Sequence, residues 1–340
     1  MSQKTSQKQP PSLSVVMPVF NEQEWISRSV GAVVEAATRA AWPVEVIVVD
    51  DGSTDGTPAE LARLASEHGI TVISQRNKGR FEARRAGLAK ASGERVMMLD
   101  SRVVVDPDSL EYLRDQLVEH PERKVWNGDV KVAAEGNPYA GFMAGLVKIP
   151  WRRYFANPRL VSFGIEEFDV YPKGTGYFCA PRELLEQAGE SFVSLYEDVS
   201  LASDDTRMLR WIAERERIHI SPGMSCTYHG RDSLQKFVKH AYFRGTTFVD
   251  GYLQTKGPAR TGMFGAIAFS ILGLVMLAKA PKRAIALGVL TSTAAAVGIK
   301  RCGGTTTEAR AVGMLLPVFG VACFAGMIRG LVLALRGRNR

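Results

Sequence analysis

The sequence predicts an α/β domain, a parallel sheet covered by helices, followed by helices of membrane-spanning length. Three observations predict it. From Leu13 onward, short β-branched runs alternate with segments of helical spacing, the pattern of a helix-covered parallel sheet. Acidic residues stand at the carboxyl ends of those runs, where such sheets open their binding crevice. Near the C-terminus, long stretches carry almost no charge.

Taken in order, residues 13–18 are an apolar run ending in Pro18, read as a strand. Residues 22–39 place Trp25, Ile26, Val30, Val33 and Val34 at helical spacing. Residues 44–49 are a β-branched strand that runs into Asp50-Asp51-Gly52-Ser53-Thr54-Asp55. A helix at Thr57–His68, a strand at Thr71–Ser74, a helix at 81–91 and a strand at Arg95–Leu99 follow, the last delivering Asp100. Beyond Gly128 the alternation breaks up, because Pro138, Pro150, Pro158 and Pro172 separate short segments rich in glycine and aromatics. Residues 139–155, with Phe142, Met143, Leu146, Val147, Ile149, Trp151 and Tyr154, read as a core-packing helix or, alternatively, as an interfacial helix lying on the bilayer.

In the tail, residues 262–278, 284–299 and 311–335 are uncharged apart from Arg329. A bilayer core takes roughly 20 apolar helical residues, range ~17–25. The first and third stretches qualify and the second is marginal, so a membrane domain over 260–336 is expected to hold two or three transmembrane helices. Residues 256–340 carry 12 Lys and Arg against the single acid Glu308, a net +11, which leaves −3 for residues 1–255. Positive charge confined to the flanks of apolar runs suits a membrane surface and disfavours nucleic acid. Both connecting loops are basic, so charge asymmetry selects no topology.

Cys179, Cys226, Cys302 and Cys323 show no C-x-x-C spacing. Residues 1–12 are polar, without the apolar core of a secretory signal, and read as a disordered leader. His68, His120 and His219 lack His or Cys partners at metal spacing, and no dinucleotide glycine fingerprint is present.

The string Val15-Val16-Met17-Pro18-Val19-Phe20-Asn21-Glu22, the acidic turn at 50–55 and Asp100 at a strand end, in this order, resemble the large inverting family of nucleotide-sugar glycosyltransferases with a GT-A fold. The resemblance covers about residues 13–250. It implies a mixed GT-A sheet, a nucleotide-diphosphate sugar donor, and Pro18, Phe20, Asn21, Glu22, Asp50 and Asp51 around the base and ribose. A carboxylate can accept from a base N–H or a ribose hydroxyl; equally, Asn21 and Asp55 can cap the helices that follow. Asn77-Lys78-Gly79-Arg80, followed by Arg84 and Gly87, resembles the loop and helix beneath the diphosphate, which implies Lys78 and Arg84 as phosphate ligands.

Asp100-Ser101-Arg102 falls where the family carries Asp-x-Asp to grip a divalent cation. Arg102 replaces the second carboxylate, so Asp100 is the one metal ligand the resemblance implies, and use of Mg2+ or Mn2+ is left open. Arg102 either binds diphosphate oxygens itself or turns outward to pair with Asp106 or Asp108.

Two acidic pairs, Glu197-Asp198 and Asp204-Asp205, compete for the catalytic base. The second, followed by Arg207, Arg210, Pro222 and His229, meets the family's spacing. That implies Asp205 as base, with Asp204 the alternative, in an in-line displacement at the anomeric carbon; helix capping is the competing role of either acid. Lys173-Gly174-Thr175-Gly176-Tyr177-Phe178 resembles the family's glycine loop at the acceptor site, implying Gly174, Thr175 and Gly176 there, joined by Tyr242 and Arg244 of the basic-aromatic segment 239–245. The Gln-x-x-Arg-Trp pattern of processive synthases has only a near echo in Arg207-Met208-Leu209-Arg210-Trp211. The resemblance therefore implies transfer of a single sugar, with inversion, to a lipid-linked or membrane-proximal acceptor, by a multi-pass protein of the cell membrane whose catalytic domain faces the cytoplasm. A non-catalytic nucleotide-sugar-binding or export subunit on the same fold is the alternative.

Overall fold

The computed structural model describes residues 9–338. Most of the expected leader, residues 1–8, lies outside the described residues. β1 (Leu13–Val19) lies between two parallel neighbours, β2 (Val44–Asp50) and β4 (Arg95–Leu99), and β2 pairs in parallel with β3 (Thr71–Ser74). Pro18 is tolerated in this central strand because the pairing with β4 ends at Val16↔Met98, two residues earlier, and proline has no N–H to give.

Side-chain alternation splits these strands between two cores. Val15, Met17, Val46, Val48 and Met97 face α1 (Ile26–Arg39), α2 (Thr57–His68) and α4 (Ser109–Glu119). Val16, Ile47, Val49, Val96 and Met98 face α3 (Arg80–Lys90), α7 (Arg182–Glu190) and α8 (Asp204–Ala213). The helix α2 starts with Pro58 in its first turn and stops at Gly69, whose positive φ of 67° closes the last turn by donating to the Ala65 carbonyl.

The second half of the sheet is mixed. β8 (Tyr177–Pro181) runs antiparallel between β4 and β6 (Val125–Val132), and β9 (Ile218–Tyr228) pairs with β6, β5 (Val103–Val105) and β7 (Val161–Phe163). The order is β3-β2-β1-β4-β8-β6-β9-β5, with β7 on β9. Residues 139–155 form two helices, α5 (Pro138–Leu146) and α6 (Arg152–Phe155), where one core helix was expected. Asn137 starts α5 by accepting from the Tyr139 and Ala140 amides.

Three helices of the tail are long and apolar enough to cross a membrane: α10 (Pro258–Lys279), α11 (Pro281–Arg301) and α12 (Thr306–Arg338). Thr305 and Glu308 form a reciprocal capping box at the start of α12, which accounts for the one acid of the tail. α12 does not stand apart. Its Ala311, Val312 and Phe319 pack on Phe142 of α5 and on Phe237 of α9 (Leu234–Tyr252), while Met327 joins Val249 of α9 and Met263 and Ile267 of α10.

Candidate active site

The carboxyl ends of β1, β2 and β4 meet at one edge, as the strand-to-acid pattern predicts. Asn21 adopts the left-handed conformation at φ 54°, which asparagine tolerates. Its Oδ1 accepts from the Thr54 amide at 2.8 Å and its own amide donates to Ser53 Oγ, so it braces the acidic turn rather than capping a helix. Asp55 does act at a helix start, accepting from the Thr57 amide. The buried Asp50 accepts from the Ser53 amide at 3.0 Å. The buried Asp51 accepts from Gln75 and from the Lys78 and Gly79 amides at 2.8 and 2.9 Å, so its carboxylate shapes the loop that leads into α3. Gly79 needs its positive φ of 89° here, and a Cβ would strike Ser200. Phe20 is exposed at this edge, and Pro18 is buried beneath it.

Of the two roles expected for Arg102, the outward one, pairing with Asp106 or Asp108, is not adopted. Asp106 pairs with Lys131 and Asp108 with Arg39. Arg102 instead turns inward, its Nε donating to Glu22 Oε2 at 2.7 Å, with both side chains buried. Arg231 approaches the other Glu22 oxygen at 3.3 Å. The guanidinium lies 5.5 Å from the Trp25 ring, on which His229 also stacks at 4.4 Å. The histidine found by spacing from the acidic pair thus lines the Arg102–Glu22 side of the site.

Arg84 organises the centre. From α3 its Nη2 donates to Asp100 Oδ1 at 2.7 Å and its Nη1 to Asp204 Oδ2 at 2.8 Å. Arg80, one turn earlier on the same face, takes Asp204 Oδ1 at 2.9 Å. Burial alone would raise the Asp204 carboxyl; the two arginines overcome it and hold the group below the usual carboxylate range. Asp205 is half-buried at the first turn of α8 and accepts from the Thr206 amide at 2.7 Å; no cation pairs with it among the described residues. Asp198, of the rival acidic pair, accepts from Ser200 and caps a 3₁₀ turn at Val199–Leu201.

The glycine loop closes the other side. The Gly174 amide donates to Asn127, Thr175 is buried, and the Gly176 carbonyl accepts from the Asp100 amide at 2.9 Å. A Cβ at Gly176 would stand 3.0 Å from Asp100 Oδ2. On α9, Tyr242 is turned to α12, with Arg329 5.5 Å over its ring, while Arg244 is exposed and donates to His240. Burial first, then Arg244, Arg231 and Arg80, push the His240 imidazole down to about 3. Lys78, in the loop that Asp51 shapes ahead of α3, is exposed.

Sequence reasoning did not single out two groups. Arg80 was legible as a same-face neighbour of Arg84. Asp250 of α9 was not: fully buried, it accepts from the Leu195 and Ser203 amides, both at 2.7 Å, and so fixes the chain that enters α8.

Residues 14–178 match the family model described as glycosyl transferase family 2. Among curated proteins, an undecaprenyl-phosphate 4-deoxy-4-formamido-L-arabinose transferase of Serratia proteamaculans is 29% identical over 188 residues, 54% of this chain and 52% of that protein. The chain therefore spans about half the length of that relative. Glycosyltransferase GlyA of Streptococcus pneumoniae is 33% identical over 110 residues, 32% of this chain and 15% of that protein. Among solved structures, the mannosyltransferase PcManGT of Pyrobaculum calidifontis, in complex with GDP-Man and Mn2+, superposes with a TM-score of 0.52 at 19% identity, covering 96% of this chain and 91% of that one. TarS 1-349 of S. aureus superposes at 0.51 with 15% identity, over 96% of this chain and 91% of that one. These two likenesses show the mixed, helix-flanked GT-A-like sheet. The chain accordingly carries a family 2 glycosyltransferase domain at residues 14–178, on a GT-A-like fold, ahead of three apolar helices of membrane-spanning length.

Proposed function

We propose that the protein transfers one sugar, with inversion, from a nucleotide-diphosphate sugar to a polyprenyl phosphate at the cytoplasmic face of a membrane. The observation that carries the reading is the set of three apolar helices of membrane-spanning length, of which α12 packs on α5 and α9; within the acidic pair, Asp204 is locked by Arg80 and Arg84, while Asp205 forms no ion pair among the described residues. The three apolar helices and the name of the Serratia relative support a lipid-borne acceptor. The nucleoside would lie over Phe20 and the Asn21–Asp50 turn, and the diphosphate between Lys78, Arg80 and the start of α3, where cations and free helix amides stabilise an anion.

In the reaction an acceptor oxygen forms a bond to the anomeric carbon as the bond to the β-phosphate oxygen breaks, and the nucleoside diphosphate leaves with the electron pair. Cationic groups stabilise that departing charge. Asp100 suits a divalent cation as a single carboxylate: Arg84 takes Oδ1, and no described group donates to Oδ2. Mg2+ and Mn2+ accept such a site when phosphates and waters complete their shell. Bound there, the cation would add charge neutralisation at the diphosphate.

A phosphate acceptor is already ionised and needs no base, whereas a sugar hydroxyl must lose a proton. The test measures nucleotide release and lipid product by mass spectrometry, for wild type and Asp205→Asn, with undecaprenyl phosphate and with glycolipid hydroxyl acceptors. Turnover on undecaprenyl phosphate, largely retained in Asp205→Asn, is expected. A fall of roughly 10²–10⁴ confined to a hydroxyl acceptor would instead make Asp205 a general base and replace the acceptor class. Absence of turnover with every nucleotide sugar would leave a binding subunit.

A further inference from the structure

Beside Asp205 lies a second cationic group that the donor site leaves unused. Lys173 donates from Nζ to the carbonyls of Phe168 and Tyr171, the latter at 3.4 Å, which leaves one of its three protons without a partner. The ammonium sits 4.4 Å from the Phe168 ring and 5.5 Å from Trp151. Arg210 of α8 lies 4.6 Å from the same Phe168 ring and 5.8 Å from Tyr252. Its Nη2 donates to Asp169 at 3.1 Å, but its Nε is buried with no hydrogen-bond partner among the described residues. Asp169 is therefore paired with Arg210, and no carboxylate pairs with Lys173 among the described residues.

Position gives this group its meaning. A Cβ at Gly257 would stand 3.2 Å from Asp169, and the first apolar helix begins at the next residue, Pro258. Lys173 also opens the glycine loop whose Gly176 touches Asp100. The cations thus stand between the point where the chain enters its apolar helices and the reacting centre. We propose that Lys173 and Arg210 bind the phosphate headgroup of a prenyl monophosphate acceptor and hold it beside Asp205. The proposal rests on the acceptor class given above. An ammonium and a guanidinium with unused donors suit phosphate oxygens, and the partly exposed rings of Trp151 and Tyr252 suit the first isoprene unit. Burial lowers Lys173 to about 8, with Asp169 and Asp205 opposing; an anion bound there would raise it again.

The test uses the full chain in lipid nanodiscs and farnesyl phosphate as probe, with binding followed by calorimetry and by the fluorescence of the tryptophans, of which Trp151 adjoins Lys173. Farnesol and inorganic phosphate serve as comparison ligands, and UDP and GDP report on the donor site. Lys173→Met and Arg210→Gln are each expected to weaken farnesyl phosphate about tenfold, the equivalent of a lost charged hydrogen bond, with nucleotide affinity unchanged. Unchanged nucleotide affinity shows that the loop has kept its shape, and Arg210→Gln leaves the Lys173 contacts in place should Lys173→Met disturb them. If wild type binds farnesyl phosphate and both variants bind it equally well, this assignment is overturned and the acceptor class stands. If wild type prefers farnesol, binds inorganic phosphate as tightly, or binds no prenyl phosphate, the acceptor class and this assignment fall together.

Discussion

Arg84 and Asp204 form an ion pair at 2.8 Å in which each side chain is almost wholly sealed from solvent, at 4% and 3% exposure. Two charges removed from water are held together only because each has further partners, Asp100 for the arginine and Arg80 for the carboxylate. The pair ties α3 to α8, the helix that carries Asp205.

Removing one partner strands the other. Arg84→Met is expected to cost about 3–5 kcal/mol, read as a large fall in melting temperature in detergent. Asp204 adds a pH dependence with a definite sign. Its folded carboxyl lies below the ordinary range, against burial, because of Arg80 and Arg84. Its contribution is therefore fully present above the unfolded value and lost as acid protonates the folded group. Asp204→Asn should be less stable than wild type at neutral pH, with the gap narrowing on acidification below the carboxylate range. A gap that stays constant across that range would show that the Asp204 charge does not stabilise the fold.

Much of the first half of the fold was legible because signal and structure are local. Thr57–His68, Thr71–Ser74 and Arg95–Leu99 fall where helical spacing and β-branched runs put them, and the acids at strand ends share an edge because parallel strands point the same way. The second half was not legible. Nothing within Tyr177–Pro181 says that it inserts antiparallel between β4 and β6, and nothing local says that α12 packs against α5, where a Cβ at Gly145 would crowd Val312 and Glu308; the break between α5 and α6, by contrast, contains Pro150, which interrupts a helix. The site divides in the same way. Asp50, Asp100 and Asp204 could be read as acids in strand-end and helix-start positions. Their partners could not, because Arg84 and Asp204 are separated by 120 residues and Glu22 and Arg102 by 80. Asp106 and Asp108 were the nearer carboxylates in sequence, but both already hold other cations.

The Arg102–Glu22 pair changes what an arginine substitution should do. Glu22 is fixed on one side by its amide, which donates to Thr57, and on the other by Arg102 and Arg231. With Arg102 spent on Glu22, Arg102→Ala releases the segment from Pro18 to Glu22 rather than stripping a ligand from the diphosphate. The loss, roughly 1.5–3 kcal/mol for a charged hydrogen bond, should fall equally on a nucleoside and on its diphosphate. Calorimetry with uridine and UDP, or with guanosine and GDP, reads this directly. A loss confined to the diphosphate would mean that Arg102 contacts phosphate.

The last relationship joins the apolar tail to the catalytic domain. α9 and α12 approach so closely that a Cβ on Gly326 would lie 2.0 Å from the Tyr242 carbonyl, and one on Gly245 the same distance from that of Cys323. Side chains cannot relieve a clash between backbones, so the helices must separate. Through Asp250, which accepts from the Leu195 and Ser203 amides, a displaced α9 would also loosen the first turn of α8, where Asp204 and Asp205 stand. Gly326→Ala is therefore expected to destabilise the protein by about 1–3 kcal/mol and to lower turnover more than nucleotide affinity, while α10 and α11 keep it resistant to alkaline extraction from membranes. Measuring melting temperature, turnover and UDP or GDP affinity on the same preparation decides it: a variant with wild-type stability and turnover would show that the α9–α12 contact is looser than its geometry states.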